Sequence, residues 1–218
     1  MAKAFPNTGA ITGTNADRLA LSGVFEGMQF FETDTNKMLV FDGSSWVEIN
    51  NIGLKLITSS TFSAQSTVAI DNCFSSTYNS YYIIWYAYSS IANYASIRLR
   101  AGGTAQSTGS NYSYVSFRAI SGNSSGVLEV SESQNEWRLT AVDDTQYYSP
   151  AVINLFGPYG PTYTMGLENT LIGKATTSEA QFRTLATTHQ VANSYDGFEV
   201  FANTGNFTGT LAVYGFGV

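Results

Sequence analysis

Tyr81-Tyr82-Ile83-Ile84-Trp85-Tyr86-Ala87-Tyr88 is apolar or aromatic at every position. The run is the length of a strand and well short of a bilayer-spanning helix. Side chains of a strand alternate between two faces, so this one presents apolar groups on both. An antiparallel strand in a solitary sandwich usually keeps one face wet. The run is therefore read as a strand whose outer side packs on another subunit.

Working outward, Ser96-Ile97-Arg98-Leu99-Arg100 alternates cleanly, with Ile97 and Leu99 inward and Arg98 and Arg100 outward. Similar runs, separated by Gly, Ser and Asn clusters, fall at 54–62, 66–71, 81–89, 95–101, 112–119, 127–130, 137–142, 151–156, 163–170, 198–202 and 208–218. Strands in this number, within one body of residues 54–218, predict an all-β fold: a β-sandwich of jelly-roll type. Between 177 and 190, the spacing of Glu179, Ala180, Phe182 and Leu185 predicts one or two helical turns. At the end of the chain, Ala212, Tyr214, Phe216 and Val218 share one strand face, so trimming the last residues is expected to harm folding.

The stretch from Gly27 to Ile49 has a different character. Met28 to Glu32, Met38 to Phe41 and Trp46 to Ile49 read as three short strands. Asp34-Thr35-Asn36-Lys37 and Asp42-Gly43-Ser44-Ser45 supply the turns, with residues that tolerate reversed backbone. Such a three-stranded meander carries more aromatic surface (Phe30, Phe31, Phe41 and Trp46) than one small sheet can hide. Its expected cover is the same module from other copies of the chain. Residues 1–26 read as an arm too poor in apolar groups to fold alone, with a capped short helix starting near Thr14. Residues 27–53 hold the meander and an Asn50-Asn51-Ile52-Gly53 hinge.

Composition narrows the function. Charged residues are 12% of the 218, against about a quarter in ordinary domains. The formal charge is −6, and the ten basic residues form no stripe, which argues against a nucleic-acid partner. The lone Cys73 rules out an intrachain disulfide and reads as a small buried residue. With no signal-like segment and no long apolar run, the expectation is a cytoplasmically made chain that is not inserted into a membrane.

Two sets of residues resemble proteins of tailed bacteriophages. Glu26-Gly27-Met28 through Thr33-Asp34-Thr35-Asn36-Lys37 to Asp42-Gly43-Ser44-Ser45-Trp46 is similar to a β-meander module of tail-fibre and other virion proteins. Phe74-Ser75-Ser76, Tyr78-Asn79 and Tyr81, with Asn203-Thr204-Gly205, Gly209-Thr210 and Val213-Tyr214-Gly215, resemble jelly-roll domains of tail-fibre and tail-tip proteins. The resemblance implies a homotrimer on a virion, attached to another virion protein through the N-terminal arm. Its partner outside the particle would be a host-surface glycan or protein.

No arrangement of chemical groups points to catalysis. His189 is the one histidine, and no nucleophile elbow surrounds any serine. Asp143-Asp144 and the Glu129, Glu132 and Glu136 group are the local carboxylate clusters, the latter read as solvated loop charge. Asp34-Thr35-Asn36 lacks the glycine and distal glutamate of a calcium loop, so neither a metal nor a cofactor is expected. All fourteen Tyr lie between Tyr78 and Tyr214. Tyr147, Tyr148 and Tyr159, beside Asp143 and Asp144 and the Gly157–Pro161 loop, are the candidate ligand contacts, since Tyr offers flat area and a hydroxyl at low entropic cost. The expected function is adhesion by a short homotrimeric tail fibre. A capsid or head fibre, a polysaccharide depolymerase and a cellular lectin-like module are the rivals.

Overall fold

In the computed structural model, residues 11–49, 53–122, 125–142, 148–173 and 180–216 are described. The chain divides into two compact units, residues 1–53 and 54–218.

The first unit is built on the turns read above. Asn36 takes a left-handed backbone at φ 55° and reverses β2 (Gln29–Glu32) into β3 (Lys37–Phe41). Asp42 Oδ1 accepts hydrogen bonds from the Ser44 and Ser45 amides at 2.8 and 2.7 Å, closing the turn into β4 (Trp46–Glu48). Those donors hold the Asp42 carboxyl down at about 2.

The sheet has a fourth strand that the sequence reading lacked. β1 (Ile11–Gly13) lies parallel to β2, with Ile11 opposite Phe30. From it the chain enters α1 (Asn15–Leu19), where Thr14 and Asp17 cap each other's backbone amides. Arg18 on α1 pairs with Glu32, which also accepts from the Thr35 hydroxyl at 2.6 Å. These two hydrogen bonds, Thr35's first, lower the Glu32 carboxyl.

That arrangement changes the account of the four aromatics. Phe30 is 1% exposed, with Gly13 against its ring and Trp46 edge-on at 6.0 Å. Trp46 also meets Phe41 at 5.5 Å and lies under the Arg18 guanidinium, 5.8 Å from the ring centre. The part of the arm from residue 11 therefore belongs to this unit and supplies the cover for Phe30; no second copy is needed there. Phe31 points the other way, opposite Met38, and is partly buried.

The body is a sandwich of two sheets. Its strands are β5 (Leu54–Gln65), β6 (Thr67–Ile70), β7 (Ser80–Ser89), β8 (Asn93–Ala101), β9 (Thr104–Ala105), β10 (Tyr112–Ile120), β11 (Val127–Gln134), β12 (Trp137–Val142), β13 (Ser149–Phe156), β14 (Thr164–Gly173), β15 (Ala180–His189), β16 (Gly197–Ala202) and β17 (Phe207–Phe216). One sheet runs β5-β17-β7-β13-β14-β15-β10-β11 and the other β6-β16-β8-β12, with short β9 added to β8. Taken alone, β5-β17-β7-β13 over β6-β16-β8-β12 is the eight-strand, double-Greek-key order of a jelly roll. Two inserted hairpins, β10–β11 before β12 and β14–β15 before β16, widen the first sheet to eight strands.

The core lies between the sheets. Trp85 stacks on Phe62 at 5.1 Å and meets Phe207 edge-on at 5.2 Å; Phe74 bridges to Tyr81 and Phe198. Close packing of β17 on β7 needs Gly209, where a Cβ would lie 2.2 Å from the Tyr86 carbonyl oxygen. Cys73 is buried, and burial pushes its thiol up to about 12.

The helical turns expected at 177–190 are not there: Ala180–His189 is β15. Gln181, Arg183, Leu185, Thr187 and His189 point inward and are buried, alternating with the more exposed Phe182, Thr184, Ala186 and Thr188. The Phe182–Leu185 spacing that suggested a helix joins residues on opposite faces of a strand. Glu179 and Val218 lie outside the described residues.

Candidate functional site

The two outer faces of the sandwich differ in chemistry. On the smaller sheet, Arg98 and Arg100 of β8 reach Glu199 of the neighbouring β16, and are joined by Glu136 and Asp71 at 2.8 and 2.7 Å. Arg98 also lies over the Phe201 ring at 4.1 Å. This is the wet face expected of a sandwich.

On the eight-stranded sheet every strand exposes apolar side chains on the outer face, with Asn154, Asn169, Thr184 and Thr210 set among them. Opposed pairs fix the register: Phe216 with Leu54, Tyr214 with Leu56, Phe117 with Leu128 and Val115 with Val130. Between these ends stand Tyr82, Ile84 and Tyr86 on β7, Phe156 on β13, Met165, Leu167 and Leu171 on β14, and Phe182 on β15. Leu128 is 69% exposed and Phe216 54%. Near one end, Phe156, Met165 and Leu167 face Val115 and Val130 across a depression of about 470 Å³. The exposed apolar residues are thus grouped on one face of this sheet rather than scattered over the body.

Inside the widened part of the sheet, polarity is reversed. Where the jelly-roll strands bury Ile83, Ile153 and Val213, the inserted strands bury Glu168, Thr170, Gln181, Arg183 and His189. Arg183 is 3% exposed; it donates to the Leu139 and Arg138 carbonyls, to Ser116 Oγ at 3.2 Å and to Glu129 at 3.4 Å. Glu168 accepts from the Thr170 hydroxyl, but its Oε2 has no partner, and burial raises its carboxyl to about 7. A buried polar side and an exposed apolar side are the reverse of what a free-standing strand should present.

The residues singled out in the sequence are scattered over this frame. Asp143, Asp144 and Tyr147 lie outside the described residues. Tyr148, at the approach to β13, stacks on Tyr86 at 4.3 Å with rings nearly parallel and meets Tyr88 edge-on at 5.1 Å. It is thus an extension of the outer apolar face. Tyr159 sits half-exposed in a loop anchored by Tyr195 N donating to the Pro158 carbonyl at 2.8 Å. Tyr148 therefore packs on β7 while Tyr159 lies in the loop after β13, and among the described residues no ring contact or hydrogen bond joins the two.

His189 is buried among aromatics. Tyr112 lies 4.3 Å from its ring, Trp137 6.4 Å, and the Tyr195 hydroxyl hydrogen-bonds Nδ1 at 3.1 Å. Burial lowers it to about 4, so it is a neutral core group at ordinary pH. The Glu129, Glu132 and Glu136 group is corrected too: the strand continues to Gln134, and Glu129 and Glu136 are engaged by arginines rather than being free loop charge. Among the described residues no three His, Cys, Asp or Glu side chains gather as metal ligands, and no helix is long and apolar enough to cross a membrane. Glu168 and Arg183 were missed in the sequence; Arg183 alternates with Leu185 on one face of β15, a pattern that could have revealed it.

No family model, curated protein or solved structure matches the chain.

Proposed function

We propose that this protein is a structural protein of a tailed-bacteriophage virion: a short homotrimeric tail fibre that adheres to the host surface. The observation that carries the reading is the outer face of the eight-stranded sheet, which exposes apolar side chains on every strand, including the inserted strands that bury Glu168, Gln181 and Arg183 on their inner side. Such a face is satisfied by packing on copies of itself, and a rotationally symmetric assembly presents it to neighbours without leaving an open end. The two resemblances in the sequence favour a trimer over other closed forms. In this reading the N-terminal unit attaches to another virion protein, and the body offers its loops to host glycans or proteins. Three weak sites on one rigid particle gain effective concentration without new contacts.

Sedimentation equilibrium of the purified chain, with adsorption to candidate host cells, tests the proposal. A trimer that adsorbs is expected; a stable monomer, or a trimer that adsorbs to no host of the phage carrying it, overturns it. Labelling the protein on intact virions separates a tail fibre from a head fibre.

A further inference from the structure

On the inner face of the widened sheet, Arg118 of β10 stands directly opposite Arg183 of β15. Like charges directly opposed in this way are destabilising, and an anion between them relieves the repulsion. Both arginines line a recess of about 290 Å³, together with Tyr94, Ser116, Val127, Leu128 and Glu129. Arg138 adds a third guanidinium nearby, 4.0 Å from Glu129 and over the Tyr94 ring at 5.0 Å. Glu129 is thus one carboxylate shared by Arg183 and Arg138, and among the described residues Arg118 has no ion pair. The recess carries an excess of positive charge in a chain whose formal charge is −6.

We infer that this recess binds the carboxylate of an acidic sugar. Arg118 would take the carboxylate through its planar guanidinium fork, while Arg183, held by Ser116, Glu129 and the β12 carbonyls, adds positive charge at the base of the recess. Glu129 and Ser116 would accept hydrogen bonds from ring hydroxyls, and the Tyr94 ring would lie against the apolar face of the pyranose. Glu129 sets the selectivity. It repels a bare phosphate or sulfate but is satisfied by a ligand that brings hydroxyl donors along with one negative charge. The recess is small enough for a single ring, so weak binding, multiplied by copy number, is what the geometry offers.

This inference rests on the adhesive reading, and the test separates the two. Glucuronate, glucose and inorganic phosphate are titrated into the full chain by calorimetry or NMR, alongside Arg118→Gln and Tyr94→Ala. Glucuronate should bind at least tenfold more tightly than glucose or phosphate. Arg118→Gln should weaken it at least tenfold and Tyr94→Ala severalfold, with circular dichroism melting showing both variants folded. Equal binding of glucose and glucuronate, no effect of folded Arg118→Gln, or phosphate binding that matches glucuronate would each overturn the assignment. Cell adsorption is measured in parallel. Adsorption by a chain that ignores glucuronate would sink the recess but keep the adhesin, whereas absence of adsorption would sink the adhesin itself.

Discussion

The two outer faces of the sandwich are made from the same kind of alternating strand, yet one is laced with ion pairs and the other is apolar. On the smaller sheet, Arg98 and Arg100 share Glu199 and need nothing beyond solvent. On the larger, Leu128, Leu167, Phe182 and Phe216 have no such complement within the described residues of the chain. The difference teaches how far the chain complements its own surface: among the described residues one face is laced by its own ion pairs, and the other leaves its apolar groups exposed.

Charging the unfinished side should produce the largest effect. Phe117→Asp with Leu128→Asp, an opposed pair on β10 and β11, should convert the assembly to monomer and weaken association at least a hundredfold by sedimentation. Because both side chains are already exposed in the monomer, its own melting should hardly move. An unchanged mass would mean that the apolar face is not where copies meet. The reciprocal variant is Trp85→Ala, inside the jelly-roll core against Phe62 and Phe207. It should lower the body's unfolding free energy by about 3–5 kcal/mol in urea titrations. If it instead altered oligomer mass without altering stability, the roles of the two faces would have to be exchanged.

The polar interior of the widened sheet predicts a balanced response to pH. Glu168 is raised from 4.5 to about 7, so its contribution to stability is whole below pH 4.5 and is lost as pH rises through 7. His189 is lowered from 6.5 to about 4, so its contribution is whole above pH 6.5 and is lost as pH falls through 4. Each effect is worth about 3 kcal/mol, and between pH 4.5 and 6.5 the two slopes oppose each other. The wild-type contribution of this pair should therefore stay level there. Glu168→Gln should uncover the histidine slope, melting at progressively lower temperature as pH falls from 6.5 to 4.5. A level profile in that variant would show that Glu168 is not the counterweight. The smallest change is Trp137→Phe, which removes the indole donor to the Thr188 carbonyl at 2.9 Å and should cost about 1–3 kcal/mol by thermal or urea melting.

Much of the architecture was legible in the sequence because period-two alternation and turn residues are local signals. The run from Tyr81 to Tyr88 announced a strand with two apolar faces, and the strand buries Ile83 and exposes Ile84. Alternation does not say which face is the inner one. In β15 the inward set is Gln181, Arg183, Leu185, Thr187 and His189, so a search for apolar residues on the buried side found no phase and settled on a helix. The partners of Arg183 come from β10, β11 and β12, and no spacing along the chain brings those strands together. For the same reason Phe30 seemed to need a second copy: its cover comes from β1 and α1, whose few residues carried little apolar signal.

The widening of the jelly roll has a consequence for how the chain becomes folded. Neither inserted hairpin finishes the sheet alone, because β10 of one pairs along its length with β15 of the other, joining Ile120 to Gln181 and Tyr112 to His189. That seam closes a loop that contains β11, β12, β13 and β14. Contacts so distant in sequence reward the chain only after their closure entropy has been met, which makes them slow to form. The seam is then a late event on the folding route. It is also where Arg118 and Arg183 come to line one recess, so an unfinished chain carries no such recess.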